Sequence, residues 1–339
     1  MSGKAVWVVL GLAMVMATGC GTPSVPRDRV TFAVLAGIYY AAEPGSKVEA
    51  AVVEDSEVLL RKAVAGLNAK KDLDFVVLAG DLLARADGLS IDRLHAILSD
   101  LRVPYYAVLG ATDGPGVAEK GATGSSGGMS RTSIIWAFQG HGFSGAEGYW
   151  SHEILPGMML VGLDTVEAGR EGGHVDARQL EWLERTLSAA GDKAVIVAGY
   201  HGLMPLHPLD EGSAWRDRLV DNAAAVRQVL DRHPNVLAVL SGAAHFAEGR
   251  VAGRIAYLSS PSVSVWPLAY HLMRLSPKEV EAVWVPLAGD EVGRRAQEKL
   301  LASSQYRGVF PGGEDGDTAC VRLFGGKKLA VYPLPALRP

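Results

Sequence analysis

Asp74-Phe-Val-Val-Leu-Ala-Gly-Asp81 is the stretch on which the fold turns. Phe75 to Ala79 is a short, continuous apolar run with no helical spacing, which reads as a buried strand. Gly80 lets the backbone turn sharply where the strand stops, and Asp81 follows at once. Upstream, Val30-Thr-Phe-Ala-Val-Leu-Ala36 is a second such run, and Leu60, Val64 and Leu67 share one face of the helix between them. Downstream, Ser90 is placed to cap a helix carrying Leu94, Leu98 and Leu101, and Tyr105 to Leu109 is a third strand ending at Gly110. The order is strand, helix, strand, helix, strand. It predicts parallel pairing in the first half of the chain.

The second half continues the alternation. Gly148 to Ile154 and Met158 to Leu163 are strand-like. Asp176 followed three residues later by Gln179 resembles a capping box, opening a helix with Leu180, Leu183 and Leu187 on its buried face. Ala194 to Ala198 and Val236 to Leu240 are buried strands with a helix through Val226 and Leu230 between them. Ile255 to Ser259 and Val280 to Val285 follow. Val321 to Phe324 and Leu329 to Tyr332 flank Gly325-Gly326, which predicts a hairpin. Gly114 to Ser130, rich in glycine and serine, breaks the rhythm and reads as a long loop, either a functional lid or, the safer reading, disordered.

Several of these strand ends carry short motifs in a fixed order. Phe32 to Tyr39 ends in Gly37-Ile-Tyr39; Leu78-Ala-Gly-Asp81 ends in Gly-Asp; Val108 to Asp113 ends in Gly-Ala-Thr-Asp; Val195 to His201 ends in Gly-Tyr-His; Leu240 to His245 reads Leu-Ser-Gly-Ala-Ala-His. With Leu163-Asp-Thr165 and Gln179 to Leu183 between them, this ordered set resembles the calcineurin-like metallophosphoesterases over roughly Val30 to Leu287. The resemblance implies an α/β fold, a four-layer αββα sandwich of two mostly mixed β-sheets flanked by helices. It also implies a dinuclear metal site at the strand ends.

The chemistry of such a site explains its motifs. Residues i and i+2 at a strand end point to the same side, so Asp-x-His and His-x-His each deliver two ligands into one pocket. Two cations about 3.5–4 Å apart clamp a phosphate and lower the pKa of the attacking water. An Asn-His turn supplies a further ligand and a histidine that protonates the leaving group.

In this sequence Gly37 and Tyr39 stand at the Asp-x-His pair, Ala111 at the Asn, Thr112 at the acid histidine, and Ala243 at the first His of the last motif. Asp81 and His245 are retained. Strand register favours Tyr200 at the remaining ligand position, and a shift of one residue would place His201 there. Asp81, His201 and His245 are therefore the candidate metal remnants. Gly37, Tyr39, Ala111, Asp113, Tyr200 and Ala243 are the expected cleft lining, with Tyr40 a further aromatic. No side chain is assigned a catalytic role. Two or three ligands cannot hold two cations, whereas one zinc ion needs only three protein ligands. The expectation is no cofactor or one divalent ion, and a non-catalytic ligand- or partner-binding domain. The alternatives are a reduced hydrolase using Asp81, His201 and His245, and a purely structural envelope protein in which Tyr39 and Tyr200 fill the cleft. His141, His152, His174, His207 and His271 are scattered singly and read as structural or surface residues.

The ends of the chain set the context. Lys4 precedes an apolar run from Ala5 to Ala17, too short for a membrane span and suited to a signal peptide. Ala17-Thr-Gly-Cys20 resembles the lipobox of bacterial lipoproteins, which implies cleavage before Cys20 and lipidation of its thiol. Acyl chains contribute about 0.8 kcal/mol per buried methylene, so such an anchor is firm. The expected organisation is signal peptide 1–19, tether 20–29, phosphoesterase-like domain 30–287 and a C-terminal extension 288–339. The expected location is the bacterial cell envelope, on its extracytoplasmic side, with a small molecule or envelope protein as partner. With 339 residues, 48% of them hydrophobic, the chain can bury a full core. A formal net charge of −4 gives no basis for nucleic-acid binding.

Overall fold

The computed structural model describes residues 29–43, 45–46, 48–114, 128–167, 172–207, 210, 216–303 and 329–334. The signal peptide, Cys20, most of the tether, most of the Gly114–Ser130 loop and the first strand of the C-terminal hairpin lie outside the described residues.

The first half follows its apolar pattern. Strand β1 (Val30–Leu35), helix α1 (Ser56–Asn68), β2 (Phe75–Ala79), α2 (Gly88–Leu98) and β3 (Tyr105–Val108) build a parallel core. Every residue of β1 and β2 is buried, so neither strand shows alternation. Helix α2 is capped by Asp87 rather than by Ser90: the Asp87 carboxylate accepts from Ser90 N at 2.8 Å. Ser90 sits one turn inside the helix, where its amide is one of the donors a cap must satisfy.

A short helix α3 (Arg131–Ala137) leads to β4 (Trp150–Leu155), β5 (Met158–Gly162), α4 (Ala177–Ala190), β6 (Ala194–Ala198), α5 (Ala223–Asp231), β7 (Val236–Ser241), β8 (Glu248–Ala252) and β9 (Ile255–Ser259). Asp176 caps α4 through Gln179 N at 2.7 Å. The Gln179 side chain does not return to the cap. It bonds both backbone groups of Asp164, which buries Gln179 and leaves Leu180 only half-buried. The chain then forms β10 (Ala269–Leu275), β11 (Glu279–Pro286), α6 (Asp290–Ala302) and β12 (Leu329–Pro333).

Two six-stranded sheets result, ordered β12-β11-β10-β1-β2-β3 and β4-β5-β6-β7-β9-β8, and both are mixed. Ile196 and Ala198 of β6 face the core shared with the first sheet, while Val195 and Val197 pack under α4 and α5. Leu60, Val64 and Leu67 of α1 and Leu94 of α2 join the first-sheet core. The layers are therefore helices, sheet, sheet, helices, as the motifs implied. Trp150 Nε1 donates to Ala107 O at 2.9 Å and ties the sheets together.

β10 has no counterpart in the sequence reading. His271 and Arg274 interrupt its apolar pattern, yet it pairs antiparallel with β1 in the middle of the first sheet and buries His271. β12, the described half of the expected hairpin, pairs with β11. The C-terminal residues thereby extend the main sheet. Among the described residues, no helix is long and apolar enough to cross a membrane.

Candidate functional site

The carboxyl ends of β1, β2, β3, β6 and β7 meet where the two sheets converge. Gly242, just after β7, lies so close to the β2 end that a Cβ there would collide with the Ala79 carbonyl. Gly37 N donates to Gly80 O at 3.0 Å, and Tyr39 N to Asp81 O at 3.0 Å, which pins the β1 exit against the β2 exit. Gly242 N and Ala243 N both donate to Tyr200 O. Tyr39, Asp81 and His245 each adopt left-handed backbone, with φ of 49°, 52° and 61°. Such conformations are costly for residues with a Cβ and cluster at ligand-binding and catalytic sites.

Asp81 is 1% exposed and accepts four hydrogen bonds. Its Oδ2 takes the hydroxyls of Tyr39 and Tyr200, each at 2.6 Å. Its Oδ1 takes Thr112 N at 3.0 Å and Thr112 Oγ1 at 3.1 Å. His245 Nε2 lies 3.2 Å from the Tyr39 hydroxyl and 3.9 Å from Asp81 Oδ2. Burial, with the Arg218 guanidinium nearby, pushes the His245 pKa down to about 3, so the ring is neutral. Burial and the Asp81 charge hold the Tyr200 phenol far above its ordinary range.

Asp113 is a fully buried neighbour of Asp81. Its Oδ1 accepts from Leu82 N and Leu83 N at 2.8 and 2.9 Å, and its Oδ2 from Gly110 N at 2.8 Å. Burial and then the Asp81 charge raise its pKa to about 6, against the lowering effect of those amides. Ala111 and Thr112 are half-buried, and Ala243 is buried with its carbonyl bonded to Arg218.

The register at the end of β6 puts Tyr200 on Asp81 and turns His201 to the other side. His201 Nδ1 lies 2.9 Å from Thr165 Oγ1, which also accepts His201 N at 3.1 Å. Its ring packs over Gly173, where a Cβ would approach to 2.7 Å. Burial brings its pKa down to about 3, and the nearby Arg131 and Arg218 push the same way. The structure thus brings Asp81 and His245 together and leaves His201 out. Among the described residues, no group of three or more His, Cys, Asp or Glu is placed to hold a metal ion.

Gly37 supplies a direct test of fit. A Cβ at this position would collide with Ser262 Oγ and stand 3.2 Å from His245 Nε2. Ser262 is fully buried, donates to Gly37 O at 2.7 Å and accepts from Val265 N at 2.9 Å. The space for a carboxylate at the first ligand position is filled, and both Asp81 oxygens are occupied by protein donors. These residues do not fit a dinuclear metal centre.

Tyr40 leaves the cleft altogether and donates to Glu57 Oε2 at 3.0 Å. His141 is not isolated: it stacks on Tyr105 at 3.8 Å, with His95 bonded to the Tyr105 hydroxyl at 2.9 Å. Ser262 and Arg218 have no counterpart in the sequence motifs, and Thr165 stands there only as the end of Leu163-Asp-Thr165, with no role attached. The one local signal was the glycine at position 37, which implied that another side chain takes that volume.

No protein-family model matches the chain. A 3',5'-cyclic-nucleotide phosphodiesterase of Nostoc sp. is 26% identical over 234 residues, spanning 69% of this chain and 78% of that protein. A 3',5'-cyclic adenosine monophosphate phosphodiesterase of Pseudomonas aeruginosa is 31% identical over 107 residues, 31% of this chain and 38% of that one. Among solved structures, a dimetal phosphatase from Danio rerio superposes with a TM-score of 0.58 at 19% identity, covering 77% of this chain and 97% of that chain.

Proposed function

We propose that this chain, related in sequence to cyclic-nucleotide phosphodiesterases and sharing the dimetal phosphatase fold, is a non-hydrolysing member of that lineage that works by binding a partner. The observation that carries the reading is the state of Asp81, whose Oδ2 accepts both Tyr39 and Tyr200 while Thr112 saturates Oδ1. A hydrolase of this kind needs that carboxylate for cations. The closed cleft favours a protein partner at the molecular surface over a small molecule held at the old site: Tyr39, Asp81, His245 and Tyr200 are 1–7% exposed. The lipobox-like Ala17-Thr-Gly-Cys20 supports a lipid anchor at Cys20 and a place at the bacterial cell envelope.

The test is metal content and hydrolysis on the full chain purified in detergent. After incubation with Mn²⁺, Fe²⁺ or Zn²⁺ and desalting, the chain should retain less than one metal ion. It should leave 3',5'-cyclic AMP and bis-p-nitrophenyl phosphate intact. Two tightly held metal ions together with turnover of either ester would overturn the reading.

One observation favours a second reading, an active phosphodiesterase with a remodelled site: the similarity to the Nostoc enzyme extends over 69% of this chain. That reading requires His201 to leave Thr165 and face Asp81. Loss of turnover on replacing His201, with metal retained by Asp81 and His245, would support it.

A further inference from the structure

A carboxylate shared by two cations also ties strand ends together, apart from any chemistry it supports. In this chain the strand ends are strained: Tyr39, Asp81 and His245 are left-handed. Conformations of this kind persist only where the surroundings hold them. The hydrogen bonds around Asp81 identify what holds them here.

Proton accounting fixes the direction of these bonds. The Tyr39 hydroxyl has one proton and lies 2.6 Å from Asp81 Oδ2 and 3.2 Å from His245 Nε2. The shorter contact, to a carboxylate, takes the proton. Tyr39 Oη can then only accept from His245, so the proton of the neutral imidazole sits on Nε2. This assignment leaves His245 Nδ1 as a bare lone pair, and Nδ1 is a buried atom with no hydrogen-bond partner. Tyr200 gives its proton to the same Asp81 oxygen.

We propose that the phenols of Tyr39 and Tyr200 perform here the structural task that two cations perform in a metal-dependent cleft. They form a metal-independent latch running from His245 Nε2–H to Tyr39 Oη–H to Asp81 Oδ2, with Tyr200 Oη–H closing on that oxygen. The latch joins the turns after β1, β2, β6 and β7, and Ser262 seals it by filling the volume beside Gly37. It rests on the reading that the cleft holds no dinuclear centre, and it adds that the cleft was converted to a load-carrying hydrogen-bond network.

The test uses the full chain in detergent. Tyr39→Phe and Tyr200→Phe, each removing one oxygen, should lower the thermal midpoint by about 3–6 °C. Excess EDTA should leave the wild-type midpoint where it is. Nitrogen-15 spectra of histidine-labelled chain should show His245 as the Nε2–H tautomer in the wild type and in Tyr200→Phe, with its ring resonances displaced in Tyr39→Phe. A loss of packing alone would not single out Tyr39 in this way.

Unchanged midpoints in both variants would overturn the latch, as would a wild-type His245 protonated on Nδ1. The tautomer and the EDTA response are read on the wild type, so they decide even if a variant fails to fold. Midpoints unchanged in a metal-free, inactive chain would remove the latch and leave the proposed function standing. Hydrolysis by a metal-free chain with the latch intact would do the reverse. A midpoint that falls on chelation, in a chain with two bound metals, would remove both.

Discussion

Ser262 Oγ donates to the backbone carbonyl of Gly37 at 2.7 Å and occupies the space into which any side chain at position 37 would project. The two residues are 225 apart in sequence. Gly37 also has φ of 54°, so glycine is favoured there by backbone as well as by volume.

Gly37→Ala is expected to destabilise the chain by about 2–4 kcal/mol, combining left-handed strain with overpacking against Ser262. In a Ser262→Gly background the same change should cost about 1–2 kcal/mol, because the backbone term and the close approach to His245 Nε2 remain while the collision with Ser262 is gone. Urea titration of the four chains gives the coupling. Equal costs in the two backgrounds would show that Ser262 is not what fills the site.

Thr165→Val keeps the shape of the side chain and removes the oxygen that serves both His201 N and His201 Nδ1. Leaving those buried groups unpaired should cost about 1–3 kcal/mol. His201 lies away from Asp81, so its replacement should not alter the nitrogen-15 resonances of His245. A shift at His245 in a His201→Gln variant would instead join the two rings in one site.

Stability should fall as the solution is acidified. Burial holds the pKa of His201 and His245 at about 3 and of His271 at about 4, below the ordinary histidine value of 6.5. The folded rings therefore stay neutral below pH 6.5 while the unfolded chain takes up protons, and stability is lost as pH falls toward those folded values. At pH 5 the loss is roughly 2 kcal/mol for each ring. Asp113 works in the opposite direction. Its folded pKa of about 6 lies above the ordinary 3.8, so the stability it contributes at low pH disappears as pH rises through 6. Three rings outweigh one carboxyl, giving a net loss of about 4 kcal/mol between pH 7.5 and 5. A urea midpoint that is the same at both pH values would rule this out.

Cys20→Ser should abolish lipidation and move the protein from the membrane fraction. Mass spectrometry of the wild-type N-terminus should find cleavage before Cys20 and acyl chains on its thiol and amine. An unmodified thiol at Cys20 in membrane-associated protein would exclude this form of anchoring.

The sequence by itself determined the layered architecture and the order of the strand ends. Continuous apolar runs such as Phe75–Ala79 have only a buried place to go, and glycines at their ends fix where the chain turns. It also placed Gly37, Ala111 and Ala243, which have no donor side chain at all, at those strand ends. Strands with weak local patterns were not legible: β10 is held in place by its neighbours β1 and β11, and no local spacing records that. Tertiary structure alone decided what surrounds Asp81. Tyr39, Asp81, Tyr200 and His245 come from four strand exits, and a hydrogen bond of 2.6 Å between residues 119 positions apart leaves no trace in either segment. The same holds for His201, whose side was set by the pairing of β6 with its neighbours. A shift of one residue there would have exchanged Tyr200 for a histidine on Asp81.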